Sequence, residues 1–286
     1  MKVIKVGILI SYDYEFVKVL LPLIYQHIDE IYLAVDIDRL TWSGEPFDIK
    51  GDFWIWLKEF DQQGRIVIYE DKFYISDLTA IQCDTRERNM LASRMGRCDW
   101  YIQIDSDEYF IDFEAFINKL QKYDTKVPTT IACKVATLFK RVEDGYLIVA
   151  ESNESLNFAT NNPAYHMARI NESGNILKVW DDLVLHQSWA RGAEAIHLKF
   201  QNWGHKTDFS IESFYNLWCA IDKHNAHVLK DFHPLVKTTW RKLRFLKGTI
   251  SEILKSDSIQ RINISDAVEV KKKPLLSRLW KEIKGK

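Results

Sequence analysis

The chain has 286 residues, enough for one large or two small domains, and its 47% hydrophobic and 28% charged residues are ordinary for a globular protein. The 4 cysteines are far apart and form no Cys-x-x-Cys pair, which argues against a disulfide framework or zinc site and favours a reducing compartment. No stretch approaches the roughly 20 apolar residues of a membrane span, and the first residues lack a signal-peptide core. We therefore expect a cytoplasmic protein.

The charge is unevenly distributed along the chain. From Lys237 onward 14 basic residues stand against 5 acidic ones, a net of +9, whereas the preceding part has 25 basic and 35 acidic residues, a net of −10. An acidic body repels phosphates, so we expect no nucleic-acid partner. Apolar residues of the tail fall on one helical face among lysines and arginines: Leu275, Leu276, Leu279, Trp280 and Ile283. This pattern predicts a basic amphipathic helix on an anionic, cytoplasmic membrane surface, with a short packed helix or a disordered end as alternatives.

The first half of the chain alternates between strand-like and helical patterns. Continuous apolar runs predict strands, and apolar residues spaced by three and four predict helices. In chain order we predict a strand at 3–10, a helix at 15–27, a strand at 30–36, a helix at 53–60, a strand at 65–69, a helix at 80–95 and a strand at 99–104. Strands that alternate with helices indicate βαβ units and a mainly parallel, Rossmann-like α/β sheet.

Three acids in four residues follow the strand at 99–104: Asp105, Asp107 and Glu108. Carboxylates at a strand end repel one another unless a cation or strong donors compensate, and ligands of open α/β sheets bind beyond the carboxyl ends of the strands. Oxygen ligands suit Mg²⁺ or Mn²⁺, which commonly bridges a protein to substrate phosphates. We expect a metal site for a phosphorylated substrate. The alternative is that these acids only cap the helix that follows.

The pattern changes after residue 124. Extended segments are predicted at 129–139 and 145–150, and a further pair at 165–170 and 175–179 around a turn at 171–174. The polar stretch 151–162 predicts a loop, with closure over a substrate and a plain surface loop as alternatives. Helices are predicted to dominate from 193 to 254.

With these elements in order, the chain resembles a GT-A type glycosyltransferase and is most similar to the family 2 group and its bacterial capsule and lipopolysaccharide relatives. The resemblance covers roughly residues 1–210 and rests on the segments 7–12, 34–36, 86–89, the Asp-x-Asp motif at 105–107, 185–191 and 202–205. It implies a mixed GT-A sheet flanked by helices that binds a nucleotide sugar, followed by a helical extension at 211–286. The chain departs from the family after Asp36, where the usual acid–glycine–serine run is absent, and at 13–15, where Asp-Tyr-Glu replaces the usual Asn-Glu.

The resemblance implies roles for individual residues. Asp107 would bind Mn²⁺ or Mg²⁺, and Asp105 would bind the same ion or the donor ribose. Asp36 would hold the base or ribose, and Arg86 would lie near the base or diphosphate. For Arg86, a solvated helix face is the alternative.

Two histidines and an arginine are further candidates. In enzymes of this kind a histidine downstream of Asp-x-Asp often completes the metal site, and His186 and then His205 fit that place, with a satisfied core histidine as the alternative. Arg191 could pair with a diphosphate through its planar guanidinium group. Trp189 and Trp203 could stack on a sugar, but Trp203 shares an apolar helical stripe and is expected in the core.

An inverting transfer also needs a carboxylate base that reaches the acceptor hydroxyl. The candidates are Asp182 and then Asp181, just before the His186 segment, followed by Glu151 and Glu154 in the polar stretch. Each has the alternative of an ordinary loop acid.

We therefore expect a metal-dependent, inverting glycosyltransferase that moves a sugar from a nucleotide-sugar donor to a glycan or lipid-linked acceptor in bacterial surface polysaccharide synthesis. A nucleotidyltransferase is one alternative, although it would usually show a Gly-rich phosphate loop where this chain has Ser-Tyr-Asp-Tyr at 11–14. A non-catalytic glycan-binding or assembly protein on the same fold is another.

Overall fold

The computed structural model of the protein describes residues 1–172, 174–202, 209–236, 238–260 and 262. The strands are β1 (Ile4–Ile10), β2 (Ile31–Asp36), β3 (Ile66–Asp71), β4 (Trp100–Asp105), β5 (Glu108–Phe110), β6 (Thr129–Val142), β7 (Gly145–Ala150), β8 (Ser155–Thr160), β9 (Tyr165–Met167), β10 (Ile170–Asn171), β11 (Ile176–His186) and β12 (Lys242–Lys247). The helices are α1 (Val17–Ile24), α2 (Gly51–Phe60), α3 (Ala80–Met95), α4 (Phe113–Lys122), α5 (Ala193–Asn202), α6 (Ile211–Ala220), α7 (Ile250–Leu254) and α8 (Asp257–Gln260).

One half of the main sheet is parallel. β4, β1, β2 and β3 lie side by side in this order, and α1, α2 and α3 connect successive strands. β2 is buried along its whole length and β1 nearly so, as expected for parallel strands covered on both faces. The chain moves outward from β1 to β3 and then returns to the other side of β1 with β4, so the strand order reverses between β1 and β4. Such a reversal predicts a ligand-binding crevice at the carboxyl ends of these two strands.

Close packing fixes α3 against β1. A Cβ atom at Gly7 would lie 2.7 Å from Cδ2 of Leu91, so only glycine allows this approach. α3 begins with a capping box in which the Thr79 hydroxyl accepts a hydrogen bond from the Gln82 backbone N–H. The start and the orientation of α3 are therefore well determined, and with them the side chains that it directs toward the strand ends.

The other half of the sheet is mixed. β8 is antiparallel to β4 and continues the sheet to β6, β7 and β12, while β11 runs parallel to β6 and antiparallel to β5. The predicted fold class, a mixed α/β sheet flanked by helices, is confirmed. The strands and helices predicted for the first half occur within a few residues of their predicted bounds.

Three predictions for the second half are wrong. The polar stretch at 151–162 is not a loop, since it contains the central strand β8. The strand can be polar because its side chains face a cavity and find hydrogen-bond partners there. Asn157 Nδ2, for example, donates to the Arg169 carbonyl at 3.0 Å. The segment at 175–179 does not pair with 165–170, since it begins β11, and β9 pairs with β10 instead. β12 interrupts the region that was predicted to be helical.

A second apolar core lies beside the main one and is rich in aromatic side chains. It packs α5 and α6 against β6 and β7 through Phe139, Trp189, Phe200, Phe214 and Trp240. β12 pairs with β7 over its whole length, so part of the predicted extension at 211–286 completes the main sheet. The separate domain boundary at 210 stays a prediction.

The basic tail lies outside the described residues from 263 onward, and with it the predicted amphipathic helix. Among the helices that the structure describes, none has the length and apolar character needed to cross a bilayer. The membrane-surface prediction is therefore not tested by the structure.

Candidate active site

A cavity of about 300 Å³ lies at the carboxyl ends of β1, β2 and β4. One wall, here called the strand-end wall, comprises residues that follow these strands and one face of α3: Ser11, Tyr12, Asp13, Asp36, Leu40, Thr41, Trp42, Asp84, Glu87, Arg88, Asp105, Ser106 and Asp107. The opposite wall comprises Thr137, Glu154, Leu156, Asn157, Arg169, His186, Ser188, Trp189, Arg191, Lys199, His233 and Trp240. The crevice expected from the strand order is thus present and is lined by many charged side chains.

The pairing of β5 with β11 brings His186 to the Asp-x-Asp turn. Glu108 opens β5 and lies opposite His186 in the ladder. The Gln187 backbone N–H donates to the Asp107 carbonyl at 2.8 Å. As a result His186 Nε2 lies 3.6 Å from Asp107 Oδ1. The two residues are brought together by strand pairing, although 78 positions separate Glu108 from His186.

The interpretation of the acids at 105–108 as a helix cap is wrong. β5 separates them from α4, and Asp112 caps that helix by accepting a hydrogen bond from the Ala115 backbone N–H at 2.8 Å.

Asp105 belongs to a chain of buried ion pairs, here called the Asp105 group. Arg88 joins Asp84 (Nε–Oδ1 2.6 Å) to Asp105 (Nη2–Oδ1 2.8 Å). Arg169 binds Glu108 with both terminal nitrogens, at 2.7 and 2.5 Å, and its Nη2 lies 3.6 Å from Asp105 Oδ2. Burial acts to raise the pKa of Asp105, but the guanidinium groups of Arg88 and Arg169 outweigh it and lower that pKa. Burial raises the pKa of Glu108 to about 7, against the influence of Arg169.

Asp107 belongs to a second cluster, here called the Asp107 group. Arg191 Nη2 binds Asp107 Oδ2 and also Asp13 Oδ2 at 3.0 Å, and Lys199 Nζ lies 4.0 Å from Asp107 Oδ2. Burial acts to raise the pKa of Asp107, but His186, Arg191 and Lys199 together hold it well below its usual value. Burial lowers the pKa of His186, which favours the neutral imidazole, and burial together with Arg191 lowers the pKa of Lys199 to about 8.

The predicted metal ligands fit a divalent ion only in part. Asp107 as carboxylate and His186 as neutral imidazole have the protonation states that a metal requires. Arg191, however, already occupies Asp107, and the oxygens of Asp105 face Arg88 and Arg169. Across the described ranges no group of three or more His, Cys, Asp or Glu side chains is arranged to hold a metal ion.

As they stand, these residues do not fit a resident Mn²⁺ or Mg²⁺ unless Arg191 leaves Asp107. His205, the other predicted ligand, lies outside the described residues. We therefore derive no chemical step through a metal.

Asp36 shapes the strand-end wall through four backbone hydrogen bonds. Its Oδ1 accepts from the N–H groups of Asp38 and Leu40, and its Oδ2 accepts from those of Phe73 and Tyr74, at 2.8 to 3.1 Å. These donors fill the acceptor sites of a carboxylate. Asp36 therefore holds the loop after β2 in place, and its expected role as a direct ligand of base or ribose stays a prediction.

A buried acid and two side-chain hydrogen bonds complete this loop. Trp42 Nε1 donates to Oε2 of Glu87 at 2.5 Å, and Thr41 Oγ1 donates to Oδ1 of Asn202 in α5 at 2.5 Å. Burial raises the pKa of Glu87 to about 8, so that this carboxyl is largely protonated at neutral pH. The loop is thus fixed to α3 and to α5, on both sides of the cavity.

Arg86 does not line the cavity. Its Nη2 donates to the Lys72 carbonyl at 3.4 Å, on another side of α3. The face of α3 that does reach the cavity carries Asp84, Glu87 and Arg88. Arg88, and not Arg86, is therefore the arginine that α3 contributes to the cavity.

The two preferred base candidates lie away from the cavity. The bulge in β11 carries both of them; Asp182 receives two hydrogen bonds from Lys119 Nζ, at 2.8 and 2.9 Å, and the exposed Asp181 pairs with Lys134. Neither belongs to the lining. The bulge shifts the register between Trp180 and Leu183, so these acids do not share the placement of His186.

Of the other two candidates, Glu154 lines the cavity and Glu151 does not. Oε2 of Glu154 accepts hydrogen bonds from the Thr137 hydroxyl at 3.0 Å and from Trp240 Nε1 at 3.1 Å. Glu151 pairs with Lys242 in β12. Trp189 also lines the cavity, but it is 2% exposed and packs in the second core, so little of its ring is free to stack on a sugar.

The sequence analysis did not identify Arg88, Arg169 and Lys199 as site residues. For Arg88 and Lys199 the sequence does contain a signal. Arg88 and Lys199 are charged residues on otherwise buried helical stripes; Lys199 lies between Ile196 and Phe200 on α5. A charge on such a stripe is costly unless it has a partner or a ligand. Arg169 offers no comparable signal, because it lies in a turn whose position depends on the pairing of β9 with β10.

Comparisons with known proteins give remote similarities in structure and none in sequence. No family model matches the chain, and no curated protein matches it. Among solved structures, it is similar to a mannosyltransferase from Pyrobaculum calidifontis in complex with GDP-Man and Mn²⁺, with 10% identity over 76% of this chain and 70% of that chain and a TM-score of 0.44. It is also similar to HddC from Yersinia pseudotuberculosis complexed with GMP-PN, with 12% identity over 65% of this chain and 93% of that chain and a TM-score of 0.34.

The fold and the cavity together define a class of protein. The chain is an α/β protein with a charged cavity at a strand-order reversal, and buried arginines and the partly buried Lys199 line it. Such a cavity suits a ligand with an anionic group.

Proposed function

We propose that the protein is a glycosyltransferase, which transfers a sugar from a nucleotide-sugar donor to a hydroxyl group of a glycan or lipid-linked acceptor. The observation that carries this proposal is that one cavity joins two chemically different parts. Cationic side chains, Arg191 and Lys199, lie beside Asp107 at the strand ends, and an oriented carboxylate, Glu154, lines the same cavity away from this carboxylate's ion pairs. A donor diphosphate and an acceptor hydroxyl need these two environments.

The donor lies along the strand-end wall in this proposal. Asp105 accepts a hydrogen bond from a ribose hydroxyl, for which its Oδ2 is suited because the nearest ion-pair partner, Arg169, is 3.6 Å away. The base lies against the loop that carries Leu40 and Trp42. Arg191, fixed by Asp13 and Asp107, faces the diphosphate.

Glu154 acts as the general base in place of Asp182. The acceptor oxygen forms a bond to the anomeric carbon, the bond from that carbon to the diphosphate oxygen breaks with its electron pair staying on the diphosphate, and the hydroxyl proton passes to Glu154. A single displacement of this kind inverts the anomeric configuration. The hydrogen bonds from Thr137 and Trp240 to Oε2 orient the carboxylate and leave Oε1 for the proton.

The biological setting rests on the sequence alone. The predicted cytoplasmic location, the role in bacterial surface polysaccharide synthesis and the docking of the basic tail on an anionic membrane follow from the resemblance and the tail pattern described above. A lipid-linked acceptor would be consistent with such docking.

The test is a turnover assay with a panel of nucleotide sugars and lipid-linked or oligosaccharide acceptors, with and without Mn²⁺, which measures release of nucleoside diphosphate. We expect one nucleotide sugar to be consumed, and Glu154→Gln to lower kcat by about 10²- to 10⁴-fold while the melting-temperature shift caused by the nucleotide is kept. Glu151→Gln is the matched control.

Two other results would contradict the proposal. Release of pyrophosphate from a nucleoside triphosphate and a sugar 1-phosphate would identify a nucleotidyltransferase. A glycan that raises the melting temperature, with no response to any nucleotide, would identify a glycan-binding protein.

A further inference from the structure

Lys199 is a partly buried lysine whose ammonium group has no hydrogen bond inside the described parts of the chain. Its side chain is 12% exposed, and its nearest ionic partner, Asp107 Oδ2, is 4.0 Å away, beyond hydrogen-bond distance. The ammonium group lies 5.4 Å from the ring centroid of Trp189 and lines the cavity. A partly buried ammonium group in this state is costly unless an acceptor reaches it.

Arg191 supplies a second positive charge beside the same cavity. Its Nε donates to the Ser188 carbonyl at 2.9 Å and its Nη2 binds Asp107 and Asp13, but its Nη1 is buried with no hydrogen-bond partner among the described residues. Its carboxylate partners and the ring of Phe16, 4.8 Å from its central carbon, hold the guanidinium group in one orientation. The guanidinium group of Arg191 is therefore fixed before any ligand binds.

We propose that Lys199 Nζ binds the diphosphate of the donor directly, beside the guanidinium charge of Arg191, and that this binding does not require a divalent cation. The inference rests on the proposed function, since it concerns the same cavity and the same donor. Both cations belong to the Asp107 group next to the strand ends, where the phosphates of a nucleotide would lie.

The charges around Asp107 favour side-chain cations over a metal ion. A divalent ion on Asp107 and His186 would have to displace Arg191, which would leave Asp13 without its ion-pair partner. Lys199 instead offers its ammonium group to an anion while Arg191 keeps its ion pairs and contributes its charge. When the bond to the anomeric carbon breaks, the electron pair stays on the diphosphate oxygen, and these two cations stabilise the added charge.

The experiment measures binding by isothermal titration calorimetry with inorganic pyrophosphate and with GDP, UDP, ADP, CDP and dTDP, each in EDTA and in Mn²⁺. We expect pyrophosphate and one nucleoside diphosphate to bind in EDTA. Lys199→Met should weaken both by about 10- to 100-fold, because a charge-assisted hydrogen bond is lost, while Lys199→Arg should restore most of the affinity. Lys178→Met, at an exposed position of β11, is the matched control and should bind as the wild type does.

The outcomes separate this inference from the proposed function. Binding of a nucleoside diphosphate in Mn²⁺ but not in EDTA would overturn the inference and leave the glycosyltransferase proposal standing. Wild-type affinity of a folded Lys199→Met variant in EDTA would also overturn it. No binding of any nucleotide under either condition would overturn both.

Discussion

The Asp105 group and the Asp107 group start from acids only two residues apart, yet their surroundings differ. In the Asp105 group two arginines alternate with three acids, and these pairs join α3, the end of β4 and the turn between β9 and β10. In the Asp107 group Arg191, Lys199 and His186 surround one carboxylate, and Lys199 has no hydrogen bond there.

Each group leaves one guanidinium nitrogen, Nη1 of Arg88 or of Arg191, without a hydrogen bond within the described residues. An additional ammonium group is found only in the Asp107 group. One motif can therefore supply both a structural element and a binding element. The first group should respond to mutation mainly in stability, and the second mainly in ligand binding.

The largest expected effect is on stability, from Arg169→Met. The substitution leaves Glu108 buried without its cation, and removing one partner of a buried pair costs about 3–5 kcal/mol of unfolding free energy. Denaturant unfolding followed by circular dichroism measures the loss. Arg141→Met, at an exposed position of β6, should stay within about 0.5 kcal/mol of the wild type. An equally small change in unfolding free energy for Arg169→Met would contradict the structural role of the Asp105 group.

A smaller effect is expected from Asp36→Asn, which lies outside both groups. The amide group of asparagine replaces one carboxylate oxygen with a donor, so two of the four backbone N–H groups at Asp36 lose their acceptor. We expect a loss of about 2 kcal/mol in the same unfolding measurement. Asp38→Asn, in the same loop, is the control. A nucleotide-binding defect without loss of stability would instead return Asp36 to the role that the sequence suggested.

The pH dependence of stability tests Glu87, the buried acid on α3 that accepts a hydrogen bond from Trp42. Glu87 keeps its proton in the folded state up to a pKa of about 8 but loses it in the unfolded state near 4.5, so its contribution is fully present below pH 4.5 and is lost as pH rises to about 8. Over this window it should lower the unfolding free energy by at most about 1.4 kcal/mol per pH unit.

Denaturant unfolding of Glu87→Gln at pH 5, 6, 7 and 8 should give a flatter profile than that of the wild type. The exposed Glu59→Gln serves as the control and should follow the wild-type profile. Identical slopes for Glu87→Gln and the wild type would mean that Glu87 is ionised in the folded protein.

The smallest effect on stability is expected from Lys199→Met, although we predict a large effect on anion binding. Replacing a partly buried ammonium group that makes no hydrogen bond by an apolar side chain is often neutral or stabilising, so we expect a change of less than about 1 kcal/mol. Denaturant unfolding of this variant and of the wild type, followed by circular dichroism, measures the difference. A loss comparable to that of Arg169→Met would show that Lys199 is a structural partner of Asp107, and the contrast between the two groups would disappear.

Local patterns in the sequence determined the first half of the fold and the position of the Asp-x-Asp turn. The apolar runs of β1, β2 and β4 and the helical spacing of α3 depend on residues a few positions apart, and each of these elements formed where it was predicted. Because the carboxyl ends of parallel strands meet at one edge, the sequence also predicted that Asp105 and Asp107 would line a crevice.

The tertiary structure decided which side chains meet these acids. His186 reaches Asp107 through the pairing of β11 with β5. Glu154 lies directly before β8 and enters the cavity because β8 joins the middle of the sheet. The preferred base candidate Asp182 lies in a bulge of β11, where it pairs with Lys119 and does not line the cavity. Ion pairs and cavity linings depend on contacts between distant segments, and a periodicity read over about ten residues contains no information on which strands will be neighbours.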